Sequence, residues 1–151
     1  METNNHKSIA SMIHLSTISQ YFIPFGNFIF PLIIWSASKE KSEFIDTQGK
    51  RAINFQLSLF LYSLILAIIA IPILIISVLK NINFNEISRN KNLIIQNFDF
   101  QNYSGIITFA LSAIFIFCMM KVFEFFLIIY AAVKTSNGLD FKYPLTIKFL
   151  K

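Results

Sequence analysis

Two long apolar runs dominate the pattern of the chain. Residues 52–79 carry no charged side chain and are mostly Leu, Ile, Phe and Ala. A helix rises about 1.5 Å per residue, so a run of this length outreaches the roughly 30 Å hydrocarbon core of a bilayer. A soluble domain of this size has little use for so long an uncharged helix. The second run starts at Gly105, is charge-free to Met120, meets Lys121 and Glu124, and resumes over 125–133. The pattern predicts membrane-spanning helices over 46–80 and 105–135.

The first part of the chain is more mixed. Residues 8–22 interleave Ile9, Met12, Ile13, Leu15 and Ile18 with Ser, Thr, His14 and Gln20. Small hydroxyl residues let membrane helices approach closely and bond across the contact. Pro24, Gly26 and Asn27 then break the helix, and 28–35 resumes it with Pro31 expected in the first turn. Each half of 8–38 is about 14 residues, or roughly 21 Å as helix, which is short for a crossing. The preferred reading is a helical hairpin that returns to the side it entered; one kinked span is the alternative. Trp35 with Lys39 and Lys41 suggests an interface anchor.

A basic connector follows over 39–51, where Asp46 is a candidate cap for the long helix. A polar, Asn-rich loop is expected over 81–104, with Glu86, Arg89, Lys91 and Asp99 and the glycosylation-type triplet Asn102-Tyr103-Ser104. Asn137-Gly138 is a good helix stop. In 139–151, Phe141, Tyr143, Leu145, Ile147 and Phe149 alternate with Lys142, Pro144, Thr146 and Lys148. That period of two predicts an extended amphipathic tail lying on the membrane surface or on the connector. The fold class is therefore all-α: a four-helix polytopic membrane bundle made of a broken N-terminal hairpin and two long spans, forming one integral membrane domain over 1–151.

Composition sharpens this picture. Of 151 residues, 55% are apolar and only 14% charged, against about a quarter in soluble domains. The formal net charge is +5. The basic residues are scattered, without an Arg-rich run or a Gly-aromatic motif, so nucleic acid is not an expected partner. With a hairpin, the N-terminus, connector and tail share a side that holds Lys7, Lys39, Lys41, Lys50, Arg51, Lys134, Lys142, Lys148 and Lys151, against Lys80, Arg89 and Lys91 in the loop. Positive charge holds loops in the cytoplasm, which predicts a cytoplasmic connector and tail in a bacterial inner membrane. Cys118 has no partner for a disulfide or a metal and is expected to be a small buried side chain. The N-terminus lacks the clean apolar core and small-residue site of a cleaved signal, and is expected to be retained.

Candidate chemistry is sparse. Lys121 and Glu124 are neighbours on one helix face. A charge at the bilayer centre costs about 2.5–3.5 kcal/mol on insertion scales, so the pair is either a structural ion pair turned inward or the lining of a path. Lys50, Asn54, Ser58 and Tyr62 form a polar stripe at i, i+4, i+8 and i+12, with Gln56 nearby. The plain reading of the stripe is hydrogen bonding to the polar first helix; the sharper one is a hydrophilic cavity. His14 could titrate or bind metal, although a lone His beside Ser and Thr more often packs through hydrogen bonds. Recognisable enzyme motifs are missing, so no catalytic residue, cofactor or metal is assigned.

Taken in order, His14-Leu15-Ser16, Pro24, Gly26, 31–35, 44–50, Asn54-Phe55-Gln56, Tyr62, Asn137-Gly138 and 143–147 resemble a bacterial family of small membrane proteins, domain-of-unknown-function family forty-eight-seventy. That family is similar to the chloroplast translocon component Tic-twenty. The resemblance implies a four-helix membrane domain without established catalytic residues, and a translocation role by analogy. The expected function is a non-enzymatic accessory or structural component of the membrane; the alternatives are a translocation or channel component, then a membrane enzyme. Expected partners are the bilayer and other membrane proteins or further copies of the chain.

Overall fold

The computed structural model describes residues 3–81 and 100–151. Among them are four α-helices: α1 (Asn4–Ser16), α2 (Gly26–Ser38), α3 (Glu43–Asn81) and α4 (Phe100–Ser136). No strand occurs among these residues. Residues 82–99 of the expected loop, with Glu86, Arg89, Lys91 and Asp99, lie outside the description.

The N-terminal segment is a hairpin of two short helices that pack on each other. Thr3 caps α1 by accepting the His6 N–H at 3.3 Å. After a 3-10 turn over Thr17–Tyr21, Phe25 takes the left-handed conformation (φ 61°) and starts α2. Gly26 lies against that turn, where a Cβ would sit 2.6 Å from Ser19 Oγ and 2.9 Å from Ser19 backbone. The chain folds back there because residue 26 has no side chain. α2 starts two residues before the expected point, so Pro31 lies beyond its first turn, not within it.

α3 runs without interruption through Pro72. Its N-cap is Ser42, whose Oγ accepts the Phe44 N–H at 3.1 Å and whose carbonyl accepts the Asp46 N–H. Asp46 is thus not the cap. It bridges Trp35 Nε1 (2.9 Å) and Lys50 Nζ (2.7 Å), in the helix's first turn, where a carboxylate suits the dipole. Gly49 permits that approach of α2, since a Cβ would stand 2.2 Å from Trp35 Cδ1.

α4 ends in a Schellman turn. Gly138 has φ 77°, its N–H reaches the Thr135 carbonyl, and the Leu139 N–H reaches that of Lys134. The glycosylation-type triplet lies inside α4, not in a loop.

The chain divides into two compact units. One is Met1–Tyr62 with Met120–Lys151; the other is Ser63–Met119. The first holds the core: Ile13, Ile45 and Ala52 in one cluster, and Phe55, Ala131, Phe141 and Tyr143 in another. The described part of the second consists of the remainder of α3 and α4. In it Ile68, Ile69, Leu111, Ile114 and Phe115 are more than half exposed. Almost none of the most apolar window of α3 or α4 is buried within the chain. A core helix of a soluble protein would be covered; these surfaces need lipid. Cys118 is exposed on this surface, contrary to the expected burial. It follows an apolar run that faces outward instead of into a core.

Candidate functional site

Inside the first unit, three groups of polar side chains hold most of the candidate residues. In the first, Gln20, Lys121 and Glu124 close a ring. Gln20 Nε2 donates to Glu124 Oε1 (2.7 Å), Lys121 Nζ to Glu124 Oε2 (2.8 Å), and Lys121 Nζ to Gln20 Oε1 (3.0 Å). Glu124 is 1% exposed, whereas the Lys121 side chain keeps 33% of its surface open. The spacing of Lys121 and Glu124 is legible in the sequence; Gln20, which completes the ring from the hairpin, is not.

The second group runs through His14, which is wholly buried on α1. Its Nε2 meets Gln48 Oε1 at 3.2 Å and its Nδ1 meets the Tyr143 hydroxyl at 2.9 Å. Gln48 Nε2 donates to Asp140 Oδ1 (2.6 Å), and Arg51 bonds both Asp140 and the Phe141 carbonyl. Because the Gln48 amide nitrogen is turned to Asp140, its oxygen can only accept. His14 therefore carries its proton on Nε2 and accepts the Tyr143 proton at Nδ1. The Tyr143 ring stacks on Phe55 with centroids 4.0 Å apart. Burial pushes its phenol well above the ordinary 10.0, and the Glu124 charge adds to the rise.

The third group is the stripe on α3. It does not face the first helix. Tyr62 donates to the Leu145 carbonyl (2.7 Å), Ser58 Oγ accepts the Ile147 N–H (2.8 Å), and Asn54 Oδ1 accepts the N–H groups of Phe149 (3.1 Å) and Leu150 (2.8 Å). Asn54 Nδ2 also donates to the Leu150 carbonyl (3.0 Å). Four helical residues rise about 6 Å, close to the span of two extended residues at about 3.3 Å each. The tail thus descends α3 in step with the stripe. The expected alternation holds for buried Phe141 and Tyr143 and stops at Leu145, which is 84% exposed with φ 54°. A turn at Pro144-Leu145 interrupts the strand-like period.

Gln56 belongs to none of these. Its Oε1 accepts from Asn27 Nδ2 (2.8 Å), and its Nε2 is buried without a hydrogen-bond partner. The seven candidates are therefore distributed: Lys121 with Glu124, His14 as the one candidate in the second network, Asn54, Ser58 and Tyr62 bonded to the tail, and Gln56 bonded to Asn27 of α2. Missed by sequence reasoning were Gln20, Asn27, Gln48, Arg51 and Asp140. For Asn27 the available signal was a polar amide in a short, otherwise apolar helix, which needs an intramolecular partner; the other four carried none. Among the described residues no group of three or more His, Cys, Asp or Glu is placed to hold a metal ion.

A hairpin of short helices and two long helices with outward apolar surfaces define an α-helical integral membrane protein. Residues 5–150 match the MamF/MmsF family, the magnetosome magnetite crystal formation protein family, and the chain belongs to it. This overturns the resemblance to family forty-eight-seventy and Tic-twenty: its short motifs are general features of small membrane hairpins, whereas the family match spans nearly the whole chain. No curated protein and no solved structure shows significant similarity.

Proposed function

We propose that this protein is a non-enzymatic structural component of a membrane within which magnetite crystals form. The family match over residues 5–150 carries the reading. The geometry supports it: Glu124 and His14 each spend their polar atoms on internal partners, as scaffold residues do. A multi-pass placement in the bacterial inner membrane or a compartment derived from it, with the connector and tail in the cytoplasm, follows from the positive charge on that side. The outward apolar side chains of α3 and α4 meet lipid, neighbouring membrane proteins or further copies of the chain. The translocation reading has lost its support with the family correction.

The test is complementation. A magnetite-forming bacterium stripped of its own family members receives this chain, and crystal dimensions are measured by electron microscopy. Recovery of crystal size or shape is expected. If the chain reaches the mineral-bearing membrane and crystals keep the dimensions of the stripped strain, the reading is wrong.

A further inference from the structure

The tail and the start of α3 line a half-open cavity of about 490 Å³ whose wall is strongly basic. Lys50, Arg51, Lys142, Lys148 and Lys151 line it, with Asn54, and no acidic residue does. Two of these charges are already answered: Lys50 pairs with Asp46, and Arg51 with Asp140. Lys142, Lys148 and Lys151 pair with no carboxylate among the described residues. Three lysines around one cavity repel one another, and that repulsion is relieved by an anion between them. Thr47 and Thr146 also reach the wall and bring hydroxyl groups. The volume far exceeds a bare inorganic anion and suits an esterified one.

The position is equally informative. Lys50 and Arg51 immediately precede the charge-free run that opens at Ala52. The cavity therefore sits where the hydrocarbon core ends and lipid phosphates begin. Basic pockets at that level are favourable places for phosphorylated head groups. Lysine ammonium groups serve phosphate well as mobile point charges.

We propose that this cavity is a binding site for a phosphate ester, held by Lys142, Lys148 and Lys151, with Lys50, Arg51 and Asn54 completing the lining. The site is independent of the proposed role in crystal formation and stands or falls separately. The anion is supplied either by an anionic phospholipid or by a soluble phosphate compound.

The experiment uses the full chain in neutral detergent at physiological salt, and native mass spectrometry with thermal denaturation as readouts. Phosphatidic acid, phosphatidylglycerol, phosphatidylcholine and inorganic phosphate are titrated separately. Saturable binding of the anionic lipids is expected, with little for phosphatidylcholine. Removing each lysine should weaken it roughly fivefold, so K142Q/K148Q/K151Q should lose on the order of a hundredfold. The matching Lys→Arg triple should retain binding, which separates loss of charge from loss of fold. Competition by inorganic phosphate at equal affinity assigns the site to soluble phosphate; lipid-only binding assigns it to head groups. The proposal is overturned if wild-type chain binds none of the anionic probes. It is also overturned if K39Q/K41Q, outside the cavity, weakens binding as much as the triple variant.

Discussion

Glu124 is a carboxylate with almost no water beside it, held by one amide and one ammonium group. Breaking a buried pair by removing one partner leaves a charge without compensation. Glu124→Gln keeps the shape and the bond to Gln20 but not the neutralisation of Lys121. It should lower stability by about 1–3 kcal/mol, read as a reduced melting temperature in detergent. Glu124→Leu should cost more, about 3–5 kcal/mol. Tyr143 offers a second residue-scale test. Its phenol is held neutral well above pH 10 in the folded chain. Below its unfolded pKa of about 10 the group is neutral in both states and adds no pH dependence. Above that pH the unfolded chain ionises and the folded chain resists, so stability falls as pH rises. Tyr143→Phe should lose about 1 kcal/mol at neutral pH through the broken His14 bond. It should also fall less steeply than wild type under alkaline denaturation, and parallel alkaline curves would contradict the buried phenol.

At the scale of elements, the turns and the tail are the sensitive parts. Gly138 is in the left-handed region, so Gly138→Ala should cost about 1–2 kcal/mol in backbone strain. Gly49→Ala should displace the Trp35 ring and separate it from Asp46, seen as a changed tryptophan fluorescence maximum. Asn54→Ala removes three bonds to the tail. Hydrogen exchange at the amides of Phe149 and Leu150 should then quicken at least tenfold, while the Tyr143 region, gripped by Phe55 and His14, stays protected. The elements differ in how plainly the sequence announces them. α3 and α4 are legible because lipid demands a long apolar run from each, charge-free over 52–79 in α3 and over 105–120 in α4. The hairpin is legible because Pro24 cannot continue the first helix and Gly26 lets the chain turn closely against it. The destination of Asn54, Ser58 and Tyr62 is not, because a spacing of four names a face of the helix and says nothing of what lies opposite. The tail misleads for a related reason. Its period of two suggests a strand, but its backbone is bonded by side chains of α3 instead of by another strand.

On the scale of the whole molecule, the chain sorts its chemistry by unit. Among the described residues, ion pairs, amide networks and the buried aromatic cluster belong to Met1–Tyr62 with Met120–Lys151, and those of the unit Ser63–Met119 present apolar surface. Lipid solvation explains both: charges gather where they can be paired or wetted, and the hydrocarbon zone receives side chains that need neither. Connector and tail lie in the same unit, so a single-cysteine probe at Glu40 and one at Lys142, each in a Cys118→Ser background, should react with an impermeant maleimide from the same side of sealed vesicles. Labelling from opposite sides would refute the topology. The family could not be read from individual motifs, since Pro-Gly breaks and Asn-Gly stops serve any small membrane hairpin.

The stripe on α3 holds the tail by its peptide groups alone, at Leu145, Ile147, Phe149 and Leu150. Such a grip is blind to which residues it holds. The outward side chains of that segment are free to drift, to be swapped, or to be fitted to a new neighbour without loosening it, provided no proline removes a donated hydrogen. Asn54, Ser58 and Tyr62 have no such licence. Evolution, or an engineer, can thus rewrite the outer surface of the tail while the helix beneath it stays unchanged.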